Sequence, residues 1–175
     1  MSLLDQIKGE MSSLEEKLAE SVPGYKGYKQ KEMRREADKL LRDTLVSRLR
    51  AVKRQLDTLQ QDLISAGKFD LLDEVGSTIT QLQTFIDRVR TASYGYGGLF
   101  DAVRVKEDDL DRLYQFDTQL LDYASRLEEA VNRAKAEVEG DVKPLILLIR
   151  DIAREANVTF DEREEIIKGT SDLSA

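Results

Sequence analysis

Apolar residues recur every three or four positions along almost the whole chain, which is the spacing of helices packed on one face. Leu4, Ile7, Met11, Leu14 and Leu18 predict a first helix over about 2–20. Leu45, Leu49, Val52, Leu56, Leu59 and Leu63 lie in a second, longer one, about 29–66. Leu72, Val75, Ile79, Leu82, Ile86 and Val89 mark a third over about 68–92, and Leu110, Leu113, Leu120, Ala124, Leu127, Val131, Ala134 and Val138 a fourth over about 106–139. Val142, Leu145, Ile149, Ile152 and Ala156 predict a fifth, opened by Asp141 with Pro144 in its first turn. Thr159-Phe-Asp-Glu162 reads as a capping box for a short sixth helix near 160–168. No segment carries the alternation of a strand.

The breaks agree with this division. Pro23-Gly24, Gly67, the Gly95–Gly98 region and Gly140 fall between the periodic segments. Short connections between long helices make neighbours antiparallel. The expected fold is therefore all-α: an elongated antiparallel helical bundle of four to five main helices with coiled-coil-like packing. The expected extent is one domain over 1–168, with 169–175 as a frayed tail.

Composition narrows the chemistry. The chain is 41% apolar and 35% charged, with two prolines, which suits long surface-charged helices. It has no cysteine, so disulfides, zinc-thiolate sites and thiol nucleophiles are excluded. It has no histidine, which removes the usual general base, Ser-His-Asp catalysis and the Glu-x-x-His motif of di-iron bundles. No phosphate-binding GxxxxGK[ST] loop, no EF-hand loop and no distinctive pair of acids occurs, so no cofactor and no metal is expected. The start carries Asp5 and lacks a signal-peptide core, and the longest apolar run, LILLI at 145–149, is far below the ~20 residues of a membrane span. A cytoplasmic location is the expectation.

Charge is uneven. Residues 24–54 hold eleven Lys or Arg and four Asp or Glu, a net of +7 in a chain of −7, so the remainder carries −14. Within this stretch, VPGYKGYKQKEMRREADK sets Tyr25 and Tyr28 among Lys26, Lys29, Lys31, Arg34 and Arg35. A second glycine-tyrosine loop, SYGYGGLF, carries Tyr94, Tyr96 and Phe100. Counting from the turn at Gly67, the end of the third helix stands level with about residue 42 and the start of the fourth with about residue 33. The 93–105 segment then climbs roughly 14 Å beside the first turns of the second helix. Both loops meet at one bundle end. Tyr25, Lys26, Tyr28, Lys29, Lys31, Arg34, Arg35, Tyr94, Tyr96 and Phe100 are the candidate partner-binding residues, because tyrosine with basic side chains is a common interface composition. The competing account is a plug, in which the aromatics close the bundle end as core.

Asp117 interrupts the apolar stripe of the fourth helix between Leu113 and Leu120. A carboxylate facing a core is costly unless paired. By level, Arg42 or Arg48 of the second helix is the expected partner, in a buried ion pair that fixes register. Rotation to solvent and a catalytic carboxylate are the alternatives.

The functional expectation is a non-enzymatic interaction or scaffold protein that binds another protein, or itself, through the basic tyrosine-rich end. A polyanion-binding module for nucleic acid or an anionic lipid surface comes second, weakened by Glu32, Glu36, Asp38 and Asp43 within the patch. A carboxylate-dependent enzyme comes third.

Overall fold

Helix formers with few β-branched residues fill the stretch after the first glycine-tyrosine loop, and apolar side chains return at each turn. A computed structural model describes residues 2–92 and 98–169. Among them the secondary structure is helical: α1 (Leu3–Ser21), α2 (Lys31–Ser65), a 3₁₀ turn (Phe69–Leu71), α3 (Leu72–Thr91), α4 (Gly98–Asp101), α5 (Glu107–Ala136) and α6 (Lys143–Gly169). The chain is all-α, as the spacing requires. No helix among the described residues is long and apolar enough to cross a membrane.

One expected boundary is absent. The fifth and sixth helices are a single α6, and Thr159 lies inside it with 7% exposure. Ile149, Ala153, Ala156, Phe160, Arg163 and Ile167 are all buried and continue the four-three spacing straight through the supposed cap. A capping box closes a helix start only where the preceding residue leaves the helix, and here nothing interrupts the stripe.

The contacts cluster into two compact units. The first comprises residues 1–44, 92–120 and 159–175, the second residues 45–91 and 121–158. In the second unit α2 turns into α3 at Gly67, which takes φ of +74°. Arg48 meets Glu128 at 3.0 Å and Gln55 meets Lys135, so α2 and α5 run in the same direction. Glu74 meets Arg150 at 2.9 Å and Arg88 meets Asn157 at 2.7 Å, so α3 and α6 also run together. Such alternation is the up-down packing of a four-helix bundle. Its interior is hydrocarbon: Leu49, Val52, Leu56, Leu59, Leu63, Val75, Leu82, Phe85, Ile86, Val89, Leu127, Val131, Ile146 and Ile149 are almost fully buried.

Candidate functional site

The first unit has a different interior. Its loop after α1 repeats the tripeptide Gly-Tyr-Lys, Gly24-Tyr25-Lys26 and Gly27-Tyr28-Lys29. Both glycines take positive φ, +81° and +80°, a region that other L residues enter at a cost. Each turn sends its tyrosine inward and its lysine outward. Tyr25 is 5% exposed and Tyr28 fully buried, whereas Lys26 and Lys29 are exposed. Close approach fixes Gly27 as well, since a Cβ there would stand 2.5 Å from the Tyr114 hydroxyl.

Asp117 is where the tyrosines point. It is fully buried on α5, and Arg163 Nε of α6 donates to its Oδ1 at 2.6 Å. The hydroxyls of Tyr28 and Tyr25 donate to Oδ2, the latter at 3.3 Å. Arg163 then uses Nη2 to reach Asp38 Oδ1 of α2 at 2.8 Å and the Tyr28 hydroxyl at 3.1 Å. Asp38 Oδ2 accepts from Arg42 Nε at 2.8 Å. The result is an alternating chain, Asp117–Arg163–Asp38–Arg42, in which charges of opposite sign face one another. Aromatic rings surround it: Tyr28 stacks on Phe100 with centroids 6.0 Å apart, and packs against Tyr25 and Tyr114 at 5.8 and 5.5 Å. The Tyr114 hydroxyl accepts the Tyr28 backbone N–H at 2.9 Å.

Burial controls the ionisation of these groups. It pushes the Asp117 carboxyl above its usual range, against the opposing pull of Arg163 and the Tyr28 hydrogen bond. Burial first, then the neighbouring negative charge of Asp117, raises Tyr28 well above an ordinary phenol, and burial raises Tyr25 likewise. Tyr114 is pushed up to about 12, again mainly by burial. All three phenols therefore remain neutral donors at physiological pH. A carboxylate closed off from solvent, its oxygens occupied by Arg163 and two phenols, is placed to hold elements together; a general base needs access to a substrate proton.

Arg34 is the second anchor. With 4% exposure, its Nε donates to the Tyr28 carbonyl at 2.8 Å, and Nη1 donates to the carbonyls of Ala102 at 2.8 Å and Leu99 at 3.3 Å. This ties both ends of α4 to the Gly-Tyr-Lys loop, beside the first turns of α2. The exposed pair Arg35–Asp101, 2.7 Å apart, lies at the same junction.

Of the candidate partner-binding residues, Tyr25, Tyr28, Phe100 and Arg34 are thus interior. Burial and the Asp117 network place these aromatics in the interior of the first unit. Lys26, Lys29, Lys31 and Arg35 are exposed, with Lys29 bridged to Glu15 at 3.2 Å. Tyr94 and Tyr96 lie outside the described residues. The expected ion pair has a different partner. Asp117 meets Arg163; Arg42 enters the same network through Asp38, and Arg48 faces Glu128 in the second unit. A helix start at Thr159 would separate Arg163 from the stripe that runs through Ala156. Extending the phase of Ile149, Ala153, Ala156 and Phe160 by three residues lands on it, a polar interruption to match Asp117. Among the described residues no three or more acidic side chains are placed to hold a metal ion.

Compared with known protein families, curated proteins and solved structures, the chain matches none.

Proposed function

We propose that this protein is a non-enzymatic interaction scaffold that docks an acidic macromolecular partner, a protein in the first instance, on the outer face of the Gly-Tyr-Lys loop and the first turns of α2. The observation that carries this reading is the inside-out sorting of that loop. Tyr25 and Tyr28 are buried anchors, while Lys26, Lys29, Lys31 and Arg35 project from the rigid backbone between and after them. Cations held on a fixed loop lose little freedom when they meet a partner, so steering and affinity both gain. Glu32, Glu36 and Asp101 stand exposed among them. Such interspersed acids favour a patterned protein surface over a uniform polyanion, which would be repelled at each. A cytoplasmic location and self-association belong to the same reading, supported by the absence of cysteine and by the exposed Phe69 and Ile64 of the second unit.

The test is capture of binding proteins from the native host by the wild-type chain and by a Lys26→Glu/Lys29→Glu/Lys31→Glu variant, at low and high salt. A specific protein lost both in the variant and at high salt is the expected result. Equal capture by both chains removes the reading. Fluorescence titration with an oligonucleotide and with anionic vesicles gives the second arm: tight, charge-dependent binding there replaces the protein partner with a polyanion.

A further inference from the structure

The buried network joins parts of the chain that are far apart in sequence, and losing either the end of α6 or the Gly-Tyr-Lys loop leaves its charged groups short of partners. Arg163 bridges both acids, through Nε to Asp117 and Nη2 to Asp38. If the end of α6 leaves, two buried carboxylates face each other with Arg42 as their remaining cation in the chain described above. If the Gly-Tyr-Lys loop leaves, Asp117 loses the Tyr25 and Tyr28 donors, Arg163 loses an acceptor, and Arg34 loses the Tyr28 carbonyl. Loss of the α6 end therefore strands buried carboxylates, and loss of the loop strips Asp117, Arg163 and Arg34 of buried hydrogen-bond partners, so either half-open state costs more than the closed arrangement. The fully open state recovers hydration for every ion at once. We infer that the network is an all-or-none latch: residues 22–30 and 159–169 close together onto α2 and α5, and release together while the hydrocarbon-cored helices of residues 45–91 stay folded.

Two features give the latch its low opening cost and its consequence. Ion pairs moved out of water stabilise little in net terms, because desolvation offsets their attraction, so this region opens below the free energy of global unfolding. It buries aromatic surface: Phe100 and Tyr114 beneath it, and its own Tyr28 and Phe160, are each at most 2% exposed. Opening uncovers this aromatic surface in a single step.

Hydrogen–deuterium exchange of the full chain at neutral pH, read by mass spectrometry on peptides covering 22–30, 160–166, 45–65 and 72–91, decides the matter. In the wild type, the first two peptides should exchange with one common opening constant, faster than the last two. Arg163→Met should raise both by the same factor, on the order of a hundredfold to a thousandfold, and leave 45–65 and 72–91 unchanged. Tyr28→Phe, a milder change that keeps the ring, should raise both equally by about tenfold. Should Arg163→Met fail to fold, Tyr28→Phe alone decides. Acceleration confined to one of the two segments, a uniform rise over all four peptides, or no change overturns the latch.

Discussion

In the second unit the buried positions of α2 read Leu49, Val52, Leu56, Leu59 and Leu63; in the first they read Arg34, Ala37, Asp38, Leu41 and Arg42. One helix thus carries one buried stripe with two fillings. α6 repeats the change, from Ile149, Ile152 and Ala156 to Phe160, Arg163 and Ile167. The hydrocarbon filling is stabilised by area, at roughly 25 cal/mol per Å² removed from water, and each side chain contributes nearly independently. The ionic filling depends on completeness: the closed set adds little net stability, yet removing any one charged member strands the others. Hydrocarbon packs in several registers, whereas a carboxylate that must meet Arg163, Tyr28 and Tyr25 together accepts one. The first unit therefore gains specificity where the second gains stability.

The largest effect that separates them is at Arg163. Arg163→Met should cost the first unit about 3–5 kcal/mol, read as that unit's own transition in urea unfolding, because it leaves Asp117 and Asp38 short of a cation. Arg163→Lys should recover little of this, since one ammonium cannot reproduce the forked reach to two carboxylates and a phenol. Leu56→Ala in the second unit should cost a comparable ~2–5 kcal/mol by the cavity it leaves. There, the conservative Leu56→Met should restore most of the loss. Full rescue by lysine at 163 would erase the distinction between the cores.

The glycines sharpen the comparison at the next level. Gly67 has φ of +74° with nothing within 4 Å of an added Cβ, so Gly67→Ala should cost only the backbone term, about 1 kcal/mol. Gly27 has φ of +80°, and an added Cβ would meet Tyr114 Oη at 2.5 Å and Glu15 Oε1 at 3.0 Å. Gly27→Ala should cost about 2–3 kcal/mol, as overpacking is added to strain. Equal melting temperatures for the two variants would show that the loop yields and that Tyr114 does not hold it closely.

Most of the fold was legible in the sequence, and the site was not, for one physical reason. Periodicity reports hydrocarbon, so α1, α2, α3 and α5 were found from leucine spacing with ends close to those observed. Where the buried stripe turns ionic the signal inverts: Asp38, Arg42 and Arg163 look like surface residues, and the second-helix stripe begins only at Leu45. Asp117 stood out because leucines flank it on both sides. Its partner could be found only by asking which other stripe is interrupted by the opposite charge. Level counting put 93–105 beside the first turns of α2; of the described part, Ala102 and Asp101 meet Arg34 and Arg35 there.

A smaller effect is expected at high pH. Tyr25, Tyr28 and Tyr114 have folded-state pKa values raised above the ordinary 10.0. Their contribution is fully present below pH 10, where the unfolded phenols are also neutral. It is lost as pH rises above 10 towards the raised values, because only the unfolded chain ionises readily. Urea midpoints should therefore fall between pH 9 and 11, and absorbance at 295 nm should show these phenols ionising only as the first unit opens. A midpoint that is flat over that range contradicts the sign. The least effect is at Arg48, whose pair with Glu128 is 28% and 41% exposed: Arg48→Ala should cost about 0.2–1 kcal/mol. A loss as large as that of Arg163→Met would mean that exposure, and not the closed network, fails to separate the two kinds of ion pair.

The most direct measurement is a double-mutant cycle on Asp117→Asn and Arg163→Met, by urea unfolding of the wild type, both single variants and the double. Asparagine keeps an acceptor for the tyrosine hydroxyls, so the cycle isolates the ion pair. The buried pair predicts that the double variant loses less than the sum of the singles by about 2–3 kcal/mol, since each single change strands the other's charge. Losses that add to within about 0.5 kcal/mol would mean that Asp117 and Arg163 act independently, and that no closed ionic core exists in the first unit.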